Sequence, residues 1–439
     1  MWAIVLIPAG TSAELVGILA PSVGGTSIHV ADLVVVGWFV AALSLALLRT
    51  GVTLKLDGLT LGVLLLLGWA GVSAAAGLVR SFGAVAVLRD FRGLLFYFAL
   101  IPALLEVRSA DQARNILKHF MAAAMAYGVL MCVLAVAPPG LPLVRETLVY
   151  WYGERRLHFH NTFLVPVAVT VAACVATYGT GRPRLTSLIT LLVLFAALVI
   201  SQTRSTLLVA LVSVGLALLA CAKAREVRFR PSEAGILAAG AALSGVGLLV
   251  LMSARSGLEG RLAELLTNPL AVGTFVDRFA TFVSAADLWR ERPLMGWGLG
   301  QSVPIPWATV GYKPWLGGAG LASGNLPGVD NSVLTAGFKT GLIGVALLVL
   351  VWVFTWRNAC RAVKRMMLDS GLTNQTLAVI GIKWGLIGYV TTALTQSVLF
   401  SYRTTVIWML LAAALSRLAI APASTDGPRR GAVAPTGPR

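Results

Sequence analysis

FAALVISQTRSTLLVALV, residues 195–212, sets one arginine, Arg204, between two apolar runs. A cation in the bilayer core costs at least about 2.5 kcal/mol. A single helix therefore does not carry this stretch through lipid. The chain turns at Arg204, and the flanking runs are separate spans joined at a membrane face. The same pattern, apolar runs of spanning length with short polar links, fills most of the 439 residues. Composition agrees, with 57% hydrophobic and 12% charged residues, where a soluble chain is about a quarter charged. The pattern lacks a period of two, which argues against an outer-membrane barrel.

The expected fold is all-α: a polytopic membrane protein of about twelve transmembrane helices. The runs fall near 3–20, 30–48, 59–79, 91–106, 116–137, 162–179, 186–201, 205–222, 234–252, 333–356, 377–398 and 404–420. The first, opening MWAIVLIPAG, lacks a basic leader and a small-residue cleavage site, so it reads as a retained span. Residues 1–252 then hold spans one to nine, and 253–332 form one long extracytoplasmic segment. Residues 333–421 hold the last three spans, and 422–439, rich in Gly, Pro and Thr, read as a disordered cytoplasmic tail.

Orientation follows from the loop cations. With the N-terminus inside, every inner loop is basic; two carry four cations each, Lys223, Arg225, Arg228 and Arg230 in one and Arg357, Arg361, Lys364 and Arg365 in the other. Both termini are then cytoplasmic. The net charge of +17 is explained by loop retention, with no need for a nucleic-acid partner. Cys132, Cys174, Cys221 and Cys360 form no CxxC pair, and no His, Cys, Asp or Glu cluster has metal-ligand spacing. Neither metal nor cofactor is expected.

The outer segments nevertheless hold arginines, among them Arg89, Arg156, Arg204 and Arg278, with Arg92 opening the fourth span. Guanidinium forks suit phosphate oxygens, so the cluster suits an anionic lipid head group. Snorkelling, or pairing with acids such as Asp90 and Asp277, is the alternative.

The segment TFVDRFATFVSAADLWRERPLMGWGLG, residues 274–300, places Phe275, Phe279, Phe282 and Trp289 on one helical face. Pro293 ends that helix. Gly296, Gly298 and Gly300 then make a tight turn, without the lysine of a phosphate loop. A Gly-rich stretch, 311–331, leads into the tenth span.

These pieces together resemble the O-antigen ligase and O-antigen polymerase family that shares the Wzy-C domain. SQTRST at 201–206 is similar to the family's Ser-x-Ser-Arg. DRF…W…RPLMGWGLG is similar to its Arg…Trp…His-Pro-Leu-x-Gly-x-Gly. VDNSVLTAGFKTGLIG at 329–344 is similar to its His-Asn-x-x-Leu…Gly-Leu-x-Gly. RRLHFHNTFLVP at 155–166 looks like the segment before a middle span. The resemblance implies a GT-C-type inverting glycosyltransferase that works without metal in the bacterial inner membrane. Such an enzyme takes glycan from a polyprenyl diphosphate at the outer face and passes it to a lipid-anchored or growing-chain hydroxyl. By position, Arg204 and Arg278 match the arginines assigned to the diphosphate.

One departure stands out. Asp330 precedes Asn331 where the ligases place a histidine. A carboxylate accepts the same proton when its environment tunes it, so Asp330 is the candidate base, and a polymerase stays open beside a ligase. The competing account makes Asp330 a simple helix cap. His158 and His160 also face outward as candidates. Lys339 lies two turns below Asp330, about 13 Å along a helix, and needs either a carboxylate or the diphosphate. A transporter or flippase for a lipid-linked or anionic solute is the rival class, and a non-catalytic envelope scaffold a third.

Overall fold

The computed structural model describes residues 22–23, 26–27, 30–48, 57–136, 148–151, 154–157, 164–201, 204–225, 273–304, 325–326, 328–394 and 402–420. Helices dominate: α1 (Val30–Leu48), α2 (Gly58–Val79), α3 (Ala84–Leu95), α4 (Leu100–Glu106), α5 (Ala110–Val136) and α6 (Leu164–Tyr178) come first. After them come α7 (Gly181–Ser201), α8 (Arg204–Ala224), α9 (Gly273–Glu291), α10 (Ser332–Ser370), α11 (Asn374–Ala393) and α12 (Tyr402–Ile420). Among the described residues, three short antiparallel strand pairs interrupt them; one pairs Leu148–Trp151 with Glu154–Leu157, Val149 opposite Arg156.

Local chemistry sets the ends. The Asp57 carboxylate accepts from the backbone N–H and the hydroxyl of Thr60, both at 2.8 Å, and starts α2. Thr373 caps α11 in the same way. Arg204 is the first residue of α8, three positions after α7 ends at Ser201.

Lipid outside the bundle removes the hydrophobic drive between helices, so close packing must hold them. On α11, Gly381, Gly385 and Gly388 form the contact stripe. A Cβ at Gly381 would stand 2.6 Å from the Val171 Cα on α6, and one at Gly388 would stand 2.5 Å from the Ser213 hydroxyl on α8. Only glycine allows that approach. Among the described residues, Trp408 of α12 is the largest fully buried side chain, with Tyr97 and Tyr389 rings 5.6 and 5.0 Å away. Facing the other way, α2 exposes Leu61, Leu65 and Val72, an apolar surface that belongs in lipid.

Among the described residues, five helices are long and apolar enough to cross a membrane: Gly58–Val79, Ala110–Leu134, Gly181–Leu198, Ser332–Ser370 and Asn374–Ala393. The expected all-α membrane architecture is thus present. The expected spans 3–20 and 234–252, the tail and much of 253–332 lie outside the described residues. Two expected boundaries move. The fourth span's helical run starts at Ala84 rather than 91, and a 3-10 turn, Phe96–Ala99, links α3 to α4. The tenth runs to Ser370 rather than 356, because no Gly or Pro interrupts 345–370 and its cations ride one helix out of the bundle.

Candidate functional site at a broken helix

Helix α10 is two helices. Gly341 has φ 69° and ψ −173°, which breaks the run after nine residues. The break frees backbone groups that lipid cannot satisfy. The turn after α9 takes them up. Trp297 N–H donates to Phe338 O at 2.7 Å, and Gly298 N–H to Lys339 O at 2.9 Å. In return, Leu342 and Ile343 N–H donate to Pro293 O and Leu294 O at 2.8 and 3.3 Å. The Trp69 indole of α2 donates to Thr340 O at 2.8 Å. The tight Gly-rich turn expected after Pro293 is therefore docked in the break of α10. Its glycines permit that docking: a Cβ at Gly298 would stand 2.6 Å from the Gly77 nitrogen.

Just above the break, Lys339 is 1% exposed and ion-paired to Asp90 Oδ2 of α3. The same oxygen accepts from Gly300 N–H at 2.8 Å, and Arg89 lies 3.5 Å from Oδ1. Arg89 is half exposed while Asp90 is buried. Removing one partner of such a pair costs about 3–5 kcal/mol, because a charge is left alone in a dry place. Lys339 thus has a carboxylate beside it. Arg92, two residues on, is half-buried on α3.

Outside the break, Arg80 and Arg292 flank Trp297, at 5.8 and 4.5 Å from its ring. Arg80 also donates to the carbonyls of Trp297 and, at 3.3 Å, Gly296. Burial, and next the Arg292 charge, lower the Arg80 pKa from its ordinary value. These cations are tied to the turn itself.

The half-helix 332–340 begins at Asp330 and Asn331. Asn331, not Asp330, is the cap: its Oδ1 accepts from Leu334 N–H at 2.9 Å. Its Nδ2 donates to Leu394 O at 3.0 Å, at the finish of α11. Asp330 is exposed beside it. Thr335 closes the loop, exchanging hydrogen bonds of 3.2 and 3.1 Å with Val329 N–H and C=O.

Antiparallel packing fixes what else shares this end. Gly388 faces Val209 and Ser213, while Leu377 and Ile380 share a buried cluster with Ala217 and Cys221. Helix α8 thus runs against α11, and Arg204, its first residue, starts where α11 finishes near Leu394. Gly385 faces Val167 and Gly381 faces Val171, so α6 also starts at this end, with 155–163 leading into it. Arg278 lies in the second turn of α9, whose Phe282, Ala285 and Trp289 pack around Phe338 on the half-helix. Arg156 stands in the short hairpin. The side chains of Arg156, Arg204 and Arg278 lie outside the described part, as do His158 and His160 altogether.

The opposite end gathers other cations. Arg417 donates to Val107 O and Leu104 O at 2.5 and 2.9 Å. Arg365 donates to Ala419 O at 3.4 Å, and Arg184 to Ala176 O at 3.1 Å. Among the described residues, no three His, Cys, Asp or Glu side chains stand together as a metal site would need.

Sequence reasoning missed Asp90 as the partner of Lys339, and the break itself. Two signals were legible. A lysine inside an apolar span needs a countercharge, and GLIG follows GFKT where the GWGLG turn needs glycine-lined partners.

Residues 189–349 match the family model described as O-antigen ligase, Wzy_C. No curated protein matches the chain. That segment takes in the start of α8 at Arg204, α9, the docked turn, Asp330 and the break in α10, and over it this apolar helical chain is similar to the O-antigen ligase family.

Proposed function

We propose that the protein is an inverting membrane glycosyltransferase. It transfers glycan from a polyprenyl-diphosphate donor to an acceptor hydroxyl at the outer face of the bacterial cytoplasmic membrane. The observation that carries the reading is the gathering at one bundle end of the Arg204 helix start, α9 and the exposed Asp330, within the family-matched segment. The basic opposite end is the one a cytoplasmic face would hold.

In this reading Asp330 accepts the proton of the acceptor hydroxyl as its oxygen attacks the anomeric carbon. The bond from that carbon to the diphosphate oxygen breaks, and the electron pair leaves with the polyprenyl diphosphate. Arg204 and Arg278 stabilise that charge from fixed positions, so the reaction proceeds without metal. Asn331 holds Asp330 in place through its cap and its bond to Leu394. Arg89, Arg92, Arg156, His158 and His160 line the approach of the head group and acceptor. Twelve spans with both termini cytoplasmic complete the topology.

The test is transfer by the purified protein from a polyprenyl-diphosphate glycan to lipid and glycan acceptors. One added block identifies a ligase, and a ladder of products a polymerase. Unchanged donor and acceptor across such a panel would remove the transferase reading. One observation favours a second reading, a transporter or flippase: broken helices with buried charges are a transporter feature, and α10 has both. Movement of labelled lipid-linked glycan across proteoliposomes, with no new glycosidic bond, would select it.

A further inference from the structure

We propose that Asp90 and Lys339 are positioning residues, a charged joint that sets where Asp330 stands. The inference deepens the transferase reading and rests on it for its kinetic arm.

The outer half of α10 is nine residues long, about 13 Å at helical rise. At Gly341 it loses its hydrogen-bonded continuity with the rest of the helix. Its placement must therefore come from other elements. The neutral contacts include Gly337 against the Trp289 ring, Phe338 among Ala285, Val303 and Val329, Asn331 on Leu394 O, and the Phe338, Lys339 and Thr340 carbonyls on Trp297, Gly298 and Trp69. Among the described residues, the charged tie from this half-helix is Lys339 to Asp90.

That tie does more than neutralise. Asp90 Oδ2 receives both Lys339 and the Gly300 N–H. One carboxylate oxygen thus fixes α3, the docked turn and the half-helix to one another. Lys339 is the eighth residue of the half-helix and Asp330 lies two residues before its first. A rotation at the Lys339 end swings Asp330 at the other. Misplacement of a reacting group by about 1 Å costs about 10²-fold in rate. A pair of apolar residues would fill the space but fix no rotation.

The test compares Asp90→Asn, Lys339→Met and the double variant in purified protein. The singles leave one buried charge unpaired, and either can fail to fold. The double leaves none, so it keeps the test alive. Hydrogen exchange reads the half-helix directly. In the double variant, exchange of amides 334–340 should rise about tenfold or more while 343–356 stay protected. Transfer should lose about 10²-fold in kcat, with donor KM moving far less, since Arg204 and Arg278 carry the diphosphate in this reading. Wild-type protection of 334–340 in the double variant overturns the joint. So does lost protection with wild-type kcat, which would make the pair structural filling. If wild-type protein transfers nothing, the transferase reading falls alone, and the exchange result still decides whether the pair holds the half-helix.

Discussion

Replacing Gly341 with alanine should cost far more than the same change at Gly371, although the two backbones are nearly alike. Gly341 has φ 69° and ψ −173°; Gly371 has φ 67° and ψ −154°. That region is almost confined to glycine, and an L side chain there costs about 1–3 kcal/mol. The surroundings differ. A Cβ at Gly371 meets nothing within 4 Å. A Cβ at Gly341 falls inside the Leu294 carbonyl and lies 2.6 Å from the Gly296 nitrogen. Both obstacles are backbone and cannot rotate away. The turn must lift, and four hydrogen bonds go with it: Trp297 to Phe338, Gly298 to Lys339, Leu342 to Pro293 and Ile343 to Leu294. At about 1 kcal/mol each, these add about 4 kcal/mol, for a total near 5–7 kcal/mol against 1–3 for the control. Costs above about 4–5 kcal/mol are exceptional for one substitution. Unfolding in mixed micelles, followed by tryptophan fluorescence, gives both values. Gly371→Ala should purify as a folded protein and Gly341→Ala should be severely destabilised. If the two variants unfold within about 1 kcal/mol of each other, the turn does not support the break.

Asp330→Asn should fold and bind donor while transfer collapses; wild-type transfer would eliminate Asp330 as the base and turn attention to His158 and His160. The cap account predicts no such loss, because Asn331 already caps the helix. Arg204→Ala and Arg278→Ala should each lower kcat by about 10² to 10³, the usual effect of losing one fixed charge donor. Arg204→Lys should retain partial activity, since it keeps charge but loses the fork; equal loss in Lys and Ala variants would argue against charge stabilisation. Single cysteines at exposed positions 294 and 109, in a background freed of native cysteines, should label from outside and inside the cell respectively. The reverse pattern would invert the topology and remove the site.

The architecture of this chain was legible before folding because lipid allows little choice. Apolar runs of spanning length must become helices, and Arg204 does stand at the start of one, α8, three positions after α7 ends. Pro293 ending α9 and the Gly-rich turn behind it were readable for the same local reason. The Wzy-C likeness also came from local order along the chain, and the family match over 189–349 agrees with it. What one dimension could not supply were partners from distant segments. Lys339 announced a need for a countercharge, but Asp90 stands 249 residues away on another helix. Gly341 read as one more small residue in an apolar span. Only the docked turn, with donors and acceptors spaced to meet the freed backbone, makes a break there affordable. Asp330 and Asn331 are neighbours in sequence and divide the work by geometry alone: the asparagine side chain turns back to Leu334 and Leu394, and the aspartate is left exposed. Sequence decided where the chain must cross and turn, because burial in lipid is a local requirement. Tertiary structure decided which buried charges and unpaired backbone groups meet, because those requirements are met only between elements far apart in the chain.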